Sequence, residues 1–167
     1  MVLINPSVAG WEKVVDKVVS GSAVTSIDTQ GLDLDNAKTY MILFRTTNTT
    51  GSENNIQIFF NNDTTATNYY SQSLRASGAT IEASRSNAPY IGNVNAGTEG
   101  TFFFILAREV GKLKLIGLGS EYEQSTVNVE HRTIDWITEA NVTRITLTAS
   151  EASSIGIGSR LTIFKVG

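Results

Sequence analysis

The chain has 167 residues, of which 41% are hydrophobic and only 17% charged, with a formal net charge of −3. That length fits a single domain, and the charge lies well below the roughly 25% of an average soluble protein, with Ser, Thr and Asn in its place. Scattered basic residues on an acidic chain exclude nucleic acid as the main partner, no run approaches the ~20 apolar residues of a membrane span, and the lack of cysteine excludes thiol catalysis, cysteine-held metals and disulfides.

Residues 1–10 read as an N-terminal arm punctuated by Pro6 and Gly10, without the basic segment and long apolar core of a secretory signal. Trp11 opens W-E-K-V-V-D-K-V-V-S, whose doubled, β-branched valines predict a bulged or double-sided strand. A short strand is expected over Ala23–Ile27, then turns to Lys38. Tyr40–Phe44 is a continuous apolar run, which predicts a strand covered on both faces. After a polar loop over 48–55, Ile56, Ile58 and Phe60 alternate into the Asn61–Thr64 turn. The stretch 68–74 fits more than one reading, while Ala79–Ala83 and Tyr90–Val94 read as short strands.

Thr101–Ala107 (T-F-F-F-I-L-A) is the most apolar segment and predicts a core strand. Lys112–Tyr122 pairs back on it across Arg108–Gly111, and Val127–Trp136 continues the sheet. Val142–Leu147 and Leu161–Ile163 then alternate on either side of a Ser-rich connection closing on Gly156–Ser159, the pattern of two neighbouring half-buried strands. Eight to ten short, evenly spaced strands predict an all-β, antiparallel β-sandwich of jelly-roll type, one domain over residues 11–167 behind the arm.

Chemistry is sparse. His131, the only histidine, sits between Glu130 and Arg132 on a strand and reads as a surface or pairing residue rather than a ligand. Glu121, Glu123, Glu130 and Glu139 form a glycosidase pair only if two of them stand about 5–9.5 Å apart across a sugar; Glu-x-Glu on a strand more simply points outward. Asp33-Leu34-Asp35-Asn36 resembles part of a calcium loop but lacks its Gly and terminal Glu, so it reads as a turn, as does Asn61-Asn62-Asp63. Gly117-Leu118-Gly119 and Gly156-Ile157-Gly158 do not complete a phosphate-binding loop, and no G-x-S-x-G elbow occurs. The expectation is no catalytic residue, no metal and no cofactor. Trp11, Tyr69, Tyr70, Tyr90 and Trp136, with Tyr122, remain as interface or glycan-stacking candidates, since large aromatics dominate cores and interfaces alike.

End to end, W-E-K-V-V-D, S-A-V-T-S-I-D, the Tyr40–Phe44 strand, I-F-F-N-N-D-T-T-A-T-N-Y-Y, R-I-T-L and the final G-S-R-L-T-I-F follow one another in an order that resembles small virion structural proteins of tailed bacteriophages. The resemblance spans Trp11 to Phe164, departing from the family pattern at Asn62, where Gly is commoner, and at Phe164, where Tyr is usual. It carries over no catalytic residues. It implies a non-enzymatic virion protein, decorating the capsid or associated with the tail, that works through interfaces with capsid or tail proteins and with itself as a homotrimer, the arm ordering on its partner. A carbohydrate-binding module or adhesin head contacting surface glycans is the alternative, and a jelly-roll hydrolase a more distant one.

Overall fold

A computed structural model describes residues 10–109, 112–123, 126–138 and 140–166; all of the 1–10 arm but Gly10 lies outside them. In chain order the strands are β1 (Trp11–Val18), β2 (Ser26–Gln30), β3 (Thr39–Thr47), β4 (Asn54–Phe60), β5 (Tyr69–Ser77), β6 (Thr80–Ser86), β7 (Tyr90–Val94), β8 (Glu99–Glu109), β9 (Lys112–Glu123), β10 (Thr126–Trp136), β11 (Arg144–Ala149) and β12 (Arg160–Val166). One helical turn, α1 (Leu34–Ala37), is capped by the Asp33 side chain, which accepts from the Asn36 backbone N–H.

The strands form two antiparallel sheets, of order β1-β12-β3-β8-β9-β10-β5-β6 and β2-β11-β4-β7. Period-2 alternation decides which side chains meet between them. From the large sheet, Ile42, Phe44, Phe102, Phe104, Leu106, Leu161 and Ile163 point inward; from the small sheet, Ile27, Ile56, Ile58, Phe60, Ile145 and Leu147 do, and all are buried. At ~25 cal/mol per Å² of apolar surface removed from water, this single core is the main source of stability.

The doubled valines are explained by a register shift in β1 between Lys13 and Val15, where it pairs with β12. The extra residue lets Val14 face solvent while Val15 turns into the core. The meander β8–β9–β10 pairs in continuous register as its apolar runs and hairpins predict.

The closing strands depart from expectation. β11 pairs with β2 and β4 in the small sheet, whereas β12 pairs with β1 and β3 in the large one. Their connection crosses between sheets, and Ile155 pins it by exchanging backbone hydrogen bonds of 2.9 Å with Val24. Alternation around a glycine-bearing loop specifies two half-buried strands but not their partner, because both sheets here bury one face.

A second departure concerns the apolar runs. β3 alternates buried and partly exposed residues rather than being covered on both sides. The same holds along β8 and β9, where Phe103, Ile116 and Leu118 point away from the small sheet and remain exposed.

Candidate interaction surfaces

The aromatic candidates do not form one exposed platform; Tyr69 and Trp136 meet, but inside the core. Tyr69 and Trp136 are core residues: Tyr69 is fully buried and stacks on Phe60 and Trp136, with ring centroids 6.2 and 6.4 Å apart. Their polar atoms are spoken for. The Tyr69 hydroxyl accepts from the Phe60 N–H at 3.1 Å and donates to the Asp63 carbonyl at 2.8 Å, and Trp136 Nε1 donates to Asp63 Oδ2 at 2.8 Å. Burial pushes the Tyr69 phenol well above its usual range. Trp11 lies exposed at the outer edge on β1, edge-on to Phe164; Tyr70 is exposed on β5, and Tyr90 is half-buried on β7. The Tyr122 side chain lies outside the described ones.

The turn acids hold the chain rather than one another. Asp63 accepts from Thr65 N–H, Asn68 Nδ2 and Trp136 Nε1; burial works to raise its pKa, but those donors outweigh it and hold the carboxyl below its ordinary value. Asp33 Oδ1 accepts from Asn141 Nδ2 at 2.9 Å, and Asp35 pairs with Arg108 at 2.7 Å. Among the described residues no three metal-ligating side chains gather. Of the acidic candidates, the side chains of Glu121 and Glu123 and all of Glu139 fall outside the described ones, whereas Glu130 is paired with Arg132.

Two surfaces stand out. The first is the outer face of the large sheet. In-register rows run across it: Met41–Ile105–Ile116 in one and Leu43–Phe103–Leu118–His131–Leu74 in the next. Leu118 is 51% exposed and Ile116 46%, and a groove of 590 Å³ runs over Phe103, Ile105, Ile116, Leu118 and His131. Charged pairs border it, among them Arg160, whose guanidinium forks onto Asp16 with two 2.7 Å bonds and holds that carboxyl far below its usual range. With Leu74, Val129 and Ile81, the exposed apolar side chains amount to on the order of 600 Å², the upper end for the largest patch on a typical monomer.

The second surface is on the inner face. The small sheet ends at β7, which lies over β8, β9 and β10, while the large sheet continues to β5 and β6. Where cover stops, the inward residues change from apolar to polar along a single row. Ile42, Phe104, Gly117, Arg132, Ser73 and Ser84 stand side by side in register. Gly117 marks the change, because a Cβ there would lie 2.1 Å from the Phe103 carbonyl oxygen and 2.2 Å from the Phe104 ring. The Phe104 ring occupies that space. Beyond it lies a polar cleft of 410 Å³. Alternation on β10 predicts Arg132 on one face, but nothing local tells that this face is half core.

Comparison with protein-family models, with curated proteins and with solved structures gives no match.

Proposed function

We propose that the protein is a non-enzymatic structural protein that assembles with copies of itself through the outer face of its eight-stranded sheet, and that it serves in a virion, on the capsid or the tail. The single observation carrying the assembly reading is that open apolar face. β3 and β8 carry continuous apolar runs, the composition of strands covered on both sides, and the chain covers only one. A second copy supplies the missing cover. An interface of standard size takes about 800 Å² from each partner, and the ~600 Å² of apolar side chains plus their charged border is of that order. The virion setting is supported by the order of the segments between Trp11 and Phe164, and the trimer by the same resemblance.

The strand order supports a jelly-roll reading of the sandwich. If β1-β12-β3-β8 and β2-β11-β4-β7 are taken as its two four-stranded sheets, the chain alternates between them at every step but one, β4 to β7, which both lie in the second. The hairpins β5–β6 and β9–β10 are then additions beyond β8, and they supply the outer-face width.

The test is the solution mass by light scattering. Three times 18.0 kDa is expected for the native chain, with Leu118→Lys and Ile116→Lys giving folded monomers. A native chain that stays monomeric at high concentration overturns the assembly reading. An oligomer of unchanged mass in both variants moves the interface away from this face.

A further inference from the structure

The polar cleft on the inner face is separate from the assembly surface and does not rest on it. We propose that it is a binding site for a neutral saccharide, held by Arg75, Arg132, Glu130 and Glu82.

Register places Glu82, Arg75 and Glu130 side by side across β6, β5 and β10. Cross-strand neighbours on one face have Cβ atoms roughly 5 Å apart, so carboxylate and guanidinium planes alternate along one wall. One step along the strands, Arg132 is only 8% exposed. Its Nη2 donates to Glu130 at 2.5 Å and its Nη1 to the Tyr90 carbonyl at 3.2 Å. Its Nε is buried with no hydrogen-bond partner among the described residues. A buried N–H left unmade is costly and rare, and this one belongs to a side chain that lines the cleft. Arg75, half-buried opposite, has no carboxylate within ion-pair distance among the described residues. The cleft therefore holds an accessible donor fork on Arg75, beside a buried Arg132 N–H that the fold leaves unmade.

The chemistry of the wall selects the ligand. Two arginines and two glutamates leave no net charge, so a phosphate or carboxylate finds a glutamate for every arginine. The lining is polar, which disfavours a lipid or an aromatic ligand. A sugar hydroxyl both donates and accepts, and neighbouring hydroxyls match a wall in which acceptor and donor planes alternate. The 410 Å³ falls at the small end of ligand sites and suits one or two sugar rings. Among the described residues no aromatic ring lines the cleft, so affinity is expected at about the millimolar level, without the stacking that tight sugar sites add.

The experiment follows backbone amide resonances of the intact chain while a panel of neutral mono- and disaccharides is titrated in, with sodium acetate as the anion control. Saturable shifts centred on Ser73, Ser84, Asn93 and Arg132 with at least one sugar are expected. Arg75→Ala should weaken them about tenfold, the loss of one charged donor fork, and Ser84→Trp should abolish them by filling the cleft. Both positions are partly or wholly exposed, and the spectrum itself shows whether each variant is folded. No saturable shift with any sugar overturns the proposal, as do shifts that Ser84→Trp leaves in place. Acetate binding as strong as the sugar's makes the cleft an anion site and also overturns it. Sugar binding retained in Leu118→Lys separates this result from the assembly reading.

Discussion

Asp63 ties three parts of the fold together, through its own turn at Thr65, through Asn68 before β5, and through Trp136 at the end of β10. Asp63→Asn turns one acceptor into a donor facing donors, and urea unfolding should show a loss of about 1–3 kcal/mol. The pH dependence has a definite sign. Because the folded carboxyl sits below its ordinary value, its contribution is present above the unfolded pKa of about 3.9 and is lost as pH falls through the lower folded value. The acid limb of the stability curve should flatten in Asp63→Asn, and an unchanged limb would place the acid lability at the other depressed carboxyls, Asp16 and Asp28. Gly117 is the other residue with a sharp consequence. Gly117→Ala forces a methyl against both a backbone carbonyl and the Phe104 ring, which should cost about 3 kcal/mol in the same assay. The sequence contains both residues in plain view, and neither role can be read from it. Asn-Asn-Asp reads correctly as a turn, but its bond to an indole 73 positions away is tertiary. Tyr69 and Trp136 are the same case: an aromatic in an alternating strand faces core or solvent according to the partner sheet.

At the scale of elements, what was legible was local. The meander β8–β9–β10, the bulge in β1 and the alternation of β4 follow from side-chain periodicity and hairpin chemistry within a dozen residues. The assignment of β11 and β12 to different sheets depends on where the connection between them lands, and that is set by distant contacts. Ile155 is fully buried, bridged to Val24 and Asn48, while the Gly156 N–H donates to the Thr47 carbonyl at 2.8 Å. Ile155→Ala should therefore destabilise by about 2–5 kcal/mol, as for a large aliphatic side chain removed from a core. A loss under about 1 kcal/mol, measured by denaturant unfolding, would mean that the crossover merely follows the sheets instead of fixing them.

At the scale of the molecule, unequal sheets create both surfaces: eight strands against four leave an apolar face on one side and a polar overhang on the other. The continuous apolar run Tyr40–Phe44 in β3 already pointed to cover on two sides; that one of those sides is left open needed the three-dimensional arrangement. The same sheet order has a mechanical consequence. Among the described strands β1 has a single neighbour, and Trp11 stands directly opposite Val166 at the end of its ladder with β12. Tension applied between positions 11 and 166 loads that ladder from one end, so its bonds break in succession, as a zipper opens, instead of sharing the load in shear. The chain contains no cysteine, so Trp11→Cys and Val166→Cys give two unique handles for optical tweezers. A first low-force step should release the eight residues of β1, roughly 28 Å of extended chain, before the rest of the domain yields. A single high-force rupture of the whole domain would show that the bulge and the Asp16–Arg160 fork lock this edge against peeling.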